Sequence, residues 1–193
     1  MKAAVIRDFG GVDQFSIENI AKPEPKDGEV LIAVHASGIN PIDLKTRNGT
    51  GVNRGWAEVP EDIILGWDIS GVVTDSKSDQ WSLGDEVFGM PRFPSLAGCY
   101  AEFVVAPESD VTRKPDCLSH TEAAAVPLAA LTAWQALFDK AGLQTGQRVL
   151  IHAGAGGVGH MSIQLAKWKG AHVTTTCSGG SRTCWPRRRC CAA

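Results

Sequence analysis

Apolar residues in the first hundred positions fall in short runs, at 3–6, 30–34, 69–74 and 101–105, with clusters of Gly, Pro and Asp between them. Short runs bounded by turn formers predict strands. Lys22-Pro23-Glu24-Pro25-Lys26-Asp27-Gly28 reads as a stiff turn into one strand, and 84–89 as a further turn-and-strand unit. Strands spaced this way predict a compact barrel or sandwich. The pattern changes at Ser119. Ser119-His120-Thr121-Glu122 has the form of a capping box, and a helical stretch follows through Phe138. A break is expected at Pro127, because proline interrupts the hydrogen-bond ladder. After a turn at 142–147, residues 148–153 make another apolar run. Val158, Met161, Leu165 and Trp168 then recur at helical spacing up to Gly170, and 172–178 is a Thr-rich strand. The chain therefore predicts a β-rich part followed by the opening of an α/β part.

Between that strand and helix, Gly154, Gly156 and Gly159 stand in G-x-G-x-x-G spacing. Alone the motif is weak; placed between a strand and a helix it is much stronger. The first glycine allows a tight turn, the second lets backbone approach a pyrophosphate, and the third lets helix and strand pack closely. The free N–H groups and positive end of the helix then face phosphates. Gly154, Ala155, Gly156, Gly157, Val158 and Gly159 are the candidate dinucleotide contacts.

Composition narrows the classes. The chain has 193 residues, 44% hydrophobic and 21% charged, with a net charge of -2. Four arginines and no acid lie in the last fifteen residues, so residues 1–178 carry 15 basic against 21 acidic side chains. That balance argues against nucleic acid, whose binding depends on Lys and Arg neutralising phosphates. The six cysteines form no C-x-x-C pair, and the first ten residues lack signal-peptide form, so a reduced, cytoplasmic protein is expected. The longest apolar stretch, 123–138, contains Pro127 and is shorter than the ~20 residues of a membrane span.

Five segments carry a resemblance: Gly38-Ile39-Asn40-Pro41-Ile42-Asp43-Leu44-Lys45, Gly66-Trp67-Asp68-Ile69-Ser70-Gly71, residues 84–89, Ala130-Leu131-Thr132-Ala133 and 154–159. In their order and separation they resemble the medium-chain dehydrogenase/reductase superfamily, and are most similar to its zinc-free quinone oxidoreductase and 2-alkenal reductase branch. The resemblance implies an α/β protein with a GroES-like barrel followed by an incomplete Rossmann fold. Family members have about six parallel Rossmann strands; two are found here. The implied organisation is a GroES-like catalytic domain over 1–122 and a partial Rossmann NADP-binding domain over 123–178.

Zinc-dependent relatives hold a catalytic zinc with a cysteine, a histidine and a second cysteine. The resemblance puts Asn40, Trp67 and Leu128 at those positions, and Trp and Leu offer zinc no ligand atom. The four cysteines of the structural zinc lobe are likewise missing between 90 and 117. No metal is expected. Without a Lewis acid an unactivated ketone is a hard substrate, whereas a quinone or an α,β-unsaturated carbonyl carries its own electron sink. Hydride would come from the cofactor. The resemblance implies a catalytic set of Asn40, Lys45 and Thr132. Asn40 would lie near the nicotinamide ribose and Thr132 near the ring, so both also count as cofactor contacts. Lys45 stands where many quinone oxidoreductases have tyrosine, and a lysine there polarises a carbonyl or stabilises an enolate. Plainer readings stand beside these. Asn40-Pro41 is a turn signal, Lys45 a solvated lysine, Thr132 packing in an alanine-rich helix. Asp43 and Asp68 read as structural hydrogen-bonders, and His152 as a packed strand residue.

NAD sites place an acid near the end of the second strand. No Asp or Glu follows Asp139. Thr176, Cys177 and Ser178 hold that strand end, which favours NADP, with Thr176 and Ser178 as contacts and Arg182 as a further candidate. Residues 179–193 lack apolar periodicity and mix Arg, Cys, Gly, Pro and Trp. They read either as the product of a frameshift or as a genuine basic, disordered tail. Two functions follow: an NADPH-dependent, zinc-independent reductase of a small quinone or enone, or a truncated, non-catalytic fragment of one. Full-length members of the family are usually homodimers, but the Rossmann surfaces that pair them are largely absent from this chain.

Overall fold

The computed structural model describes residues 1–178. The readings of 179–193 and of Arg182 fall outside the described residues. Two compact units divide within one helix, Met1–Leu128 and the residues from Ala129 onward.

The first unit is the expected β-rich part. A five-stranded antiparallel sheet runs β7 (Phe103–Pro107), β3 (Glu29–Ser37), β5 (Ile69–Ser76), β6 (Glu86–Gly89), β8 (Val111–Arg113). A smaller sheet joins β1 (Lys2–Ile6) to β2 (Ser16–Asn19) and β4 (Ile63–Ile64). Side chains alternate across a strand, so Val30 and Ile32 of β3 and Val104 and Ala106 of β7 point to one face and are buried together with Ile69, Val73, Val87 and Val111. Gly71 sits where β3 and β5 pair, and a Cβ there would meet the Ala33 backbone oxygen. Register irregularities in β3 against β5 curl the sheet.

Strands expected at 3–6, 30–34, 69–74 and 101–105 are present, with 101 reduced to a single bridge to Ala3. One element was read otherwise. Asn40-Pro41 opens a helix, α1 (Pro41–Arg47), and does not make a plain turn. Asn40 is the extended N-cap, Pro41 occupies the first helical turn where its missing N–H costs nothing, and Asp43 reaches back to the Asn40 N–H at 2.7 Å.

The helical stretch through 138 is three pieces: α2 (His120–Ala124), α3 (Pro127–Trp134) and a wider π turn (Gln135–Lys140). Ser119 caps α2 through the capping box read from sequence. Pro127 begins α3, so the fixed φ of proline starts a helix here.

In the second unit β9 (Arg148–Ile151) pairs in parallel with β10 (His172–Thr175), and α4 (Gly157–Trp168) crosses between them. Ile151, Ala166, Ala171, Leu137 and Leu143 make its core. β10 stops short of 178. His152 is exposed in the turn beyond β9, which corrects its reading as a packed strand residue; β9 ends one residue earlier. No helix among the described residues is long and apolar enough to cross a membrane.

Candidate active site

Asn40 is held at two points by two buried carboxylates. Its main-chain N–H donates to Asp43 Oδ2, and Asp43 Oδ1 accepts from Gly66 N at 3.2 Å. Its side-chain Nδ2 donates to Asp68 Oδ2 at 2.8 Å, and Asp68 Oδ1 accepts from Leu128 N at 2.9 Å. The sheet brings these segments together. Ser37, the last residue of β3, pairs with Ile69, the first of β5, so residues 38–40 and 66–68 leave the sheet side by side. Ser37 Oγ and Gly38 N both donate to Asp68 O, at 2.8 and 3.1 Å. A Cβ on Gly38 would meet Ala124 O at 2.7 Å and the Asp68 side chain at 2.9 Å, so glycine is what lets the two segments close.

Burial dominates the electrostatics. Asp68 is 1% exposed, and desolvation pushes its carboxyl up to about 6, against the pull of the Asn40 and Leu128 donors. Asp43 is raised in the same way. Tyr100 and Cys99 are raised by burial and by the two neighbouring carboxylates. Losing water costs a charged form most when nothing of opposite charge replaces it.

Asn40, Trp67 and Leu128, the three residues that the resemblance sets at zinc-ligand positions, each have other contacts. Trp67 is fully buried, donates Nε1–H to Ser95 O at 2.7 Å and meets Phe93 edge-on. Leu128 contributes its backbone N–H, and Asn40 its amide. Among the described residues no three His, Cys, Asp or Glu are grouped to hold a metal ion. Lys45 is exposed at the end of α1, and no ion pair involves it among the described residues.

In the second unit the 154–159 turn is shaped by what glycine omits. A Cβ on Gly159 would strike Ala153 O and come within 2.8 Å of Gly154 Cα, and one on Gly154 would strike Thr175 Oγ1. A Cβ on Gly157 would meet nothing within 4 Å. Gly156 caps α4 without a side chain, leaving the first N–H groups of the helix open to a ligand. Thr176 lies beside the turn: its Oγ1 accepts from Ala153 N at 3.2 Å and contacts His152 Nδ1. Ala155 and Val158 within the turn and Ser178, two residues after Thr176, are exposed, and Thr132 is exposed on α3. The first unit thus gathers Asn40, Asp43, Asp68 and Leu128, and the second gathers the glycine turn and Thr176.

Residues 26–116 match the alcohol dehydrogenase GroES-like domain. The solved quinone oxidoreductase of Coxiella burnetii superposes on 93% of this chain with a TM-score of 0.85 and 44% identity, over 57% of its own length. The chain belongs to the medium-chain dehydrogenase/reductase superfamily. Its curated relatives in that superfamily include the mitochondrial NAD(P)H oxidoreductase RTN4IP1 of Danio rerio, 41% identical over 92% of this chain and 50% of that protein. The 2-methylene-furan-3-one reductase of Solanum lycopersicum is 40% identical over 93% of this chain and 48% of that protein. The chain spans about half the length of these curated relatives. The GroES-like match ends before the glycine turn, which lies outside it.

Proposed function

We propose that the chain carries the active-site half of an NADPH-dependent, zinc-independent reductase that delivers hydride to a quinone or an α,β-unsaturated carbonyl. The observation that carries this reading is the 154–159 turn, where side chains are excluded at Gly154 and Gly159 and space is open at Gly157. That cradle fits a pyrophosphate at the N-terminus of α4. A bound reduced nicotinamide would supply the hydride. Asn40 would hold the nicotinamide ribose and Thr132 would lie against the ring. Lys45, exposed on α1, would polarise the acceptor carbonyl. Gly154, Ala155, Gly156, Gly157, Val158 and Gly159 would take the pyrophosphate. Thr176 and Ser178, with no acid nearby in sequence, would suit a 2′-phosphate. Among the named relatives one is a quinone oxidoreductase and one a 2-methylene-furan-3-one reductase, which supports this acceptor class.

The test is NADPH consumption with a benzoquinone and with a 2-alkenal, on this chain and on a chimera that adds the remaining Rossmann strands of a quinone oxidoreductase. Turnover that prefers NADPH to NADH and survives a chelator is expected. Turnover abolished by the chelator would overturn the zinc-independent reading.

A second reading is favoured by exposed apolar surface in the second unit, where Leu150 is 56% and Trp168 71% exposed. On that reading the chain alone is non-catalytic and binds NADPH weakly. A fluorescence titration giving micromolar affinity for the chain alone would remove it.

A further inference from the structure

We propose that Asp68 is a positioning residue which, while ionised, turns the Asn40 amide so that its oxygen, and not its nitrogen, faces away from the carboxylate. The inference rests on the reading that Asn40 is a cofactor contact and adds what orients it. An ionised carboxylate only accepts hydrogen bonds. Asp68 Oδ1 is committed to Leu128 N, a main-chain donor that cannot rotate, and Oδ2 is left for Asn40. The Asn40 amide must therefore offer Nδ2, and Oδ1 takes the other side. Its backbone N–H is fixed separately by the Asp43 carboxylate, and the capping box of α1 also sets the Asn40 side chain against the Asp43 N–H, a donor that favours the same amide orientation. The space for Oδ2 is made by Gly38, whose Cβ would lie 3.0 Å from it.

Protonation inverts this. With Oδ1 still accepting from Leu128, a proton on Oδ2 becomes a donor, and the amide turns over to accept with Oδ1 and present Nδ2. The groups facing Asp68 are Asp43 from α1 and Cys99 and Tyr100 from the segment before β7. No ion pair to Asp68 exists among the described residues. The variant Asp68→Asn imitates the protonated form at every pH, because Leu128 N claims its oxygen and its NH2 is left to face Asn40.

The test is the side-chain amide signal of Asn40 in the ¹⁵N-labelled chain, followed from about pH 5 to about pH 7.5, a window around the raised carboxyl of Asp68. In wild type both amide protons should shift together with a midpoint near that of Asp68. In Asp68→Asn they should stay at their low-pH positions throughout. A wild-type amide that does not move overturns the proposal, and needs no variant to fold. NADPH affinity is the second readout, and roughly tenfold weaker binding is expected in the inverted state. An amide that titrates while NADPH affinity does not follow it supports the positioning of Asn40 and removes Asn40 from the cofactor site.

Discussion

Around Asn40 the chain works with side chains that are buried and paired, whereas the 154–159 turn works with backbone and with the absence of side chains. The first arrangement joins α1, the start of β5 and the start of α3 through two carboxylates, and no buried side-chain polar atom among the described residues lacks a partner. The second puts no charged group at its centre and depends on the close approach of Gly159 to Ala153 and Gly154. They should therefore break in opposite ways. A site made of buried charge responds to protons and to loss of a side chain; a site made of close backbone responds to any side chain gained.

The largest effect is expected from pH. Asp68 is raised from 3.8 to about 6 by burial. The folded state then binds a proton between those values that the unfolded state does not, so this contribution is fully present below pH 3.8 and is lost as pH rises through about 6. The shift corresponds to about 3 kcal/mol at its limit. Asp43 acts in the same direction, while Glu29, Asp85 and Glu86, lowered by their partners, act oppositely. Denaturant titrations of wild type and Asp68→Asn isolate Asp68. The wild-type minus variant stability should fall between about pH 4 and about pH 6, and a flat difference would show that this carboxylate does not feel its burial.

Next is Gly159→Ala. Its methyl group meets main-chain atoms that cannot rotate away, and overpacking of that kind costs about 1–3 kcal/mol. Hydrogen exchange should speed at Ile151 in β9 and Val173 in β10 while Val73 and Val87 of the first unit keep their protection. Equal loss in both would mean that the two regions do not fail separately. The smallest effect belongs to Lys45→Ala, an exposed change expected within about 0.5 kcal/mol of wild type. If the proposed role holds, the chimera's turnover with a 2-alkenal falls while its thermal midpoint stays. Unchanged turnover would return Lys45 to an ordinary solvated lysine.

The glycine turn was legible because its parts are contiguous: strand, glycines and helix fall within residues 148–168, and the period of Val158, Met161, Leu165 and Trp168 marks the helix directly. The Asn40 cluster was only partly legible. The Asn40-x-x-Asp43 spacing is itself a capping signature, yet beside Pro41 it read as a turn, and α1 was missed. Asp68 could be named as a hydrogen-bonder, but its two partners lie 28 and 60 residues away. Nothing local points to either. The contact of the tilted His35 and His120 rings, with His120 also on Ser70 Oγ at 2.7 Å, was invisible for the same reason.

What the sequence by itself determined is the chemistry on offer: which residues can ligate, donate or accept. Trp67 and Leu128 have no zinc-ligating side chain wherever they are placed, and six glycine-turn residues announce their spacing within one strand–helix unit. What only the tertiary structure decided is what each group faces. The pairing of Ser37 with Ile69 lays two distant segments together, burial raises Asp68, and Leu128 enters the cluster through its N–H. Side-chain type is local, whereas desolvation and hydrogen-bond partners depend on residues that approach only once the sheet has formed.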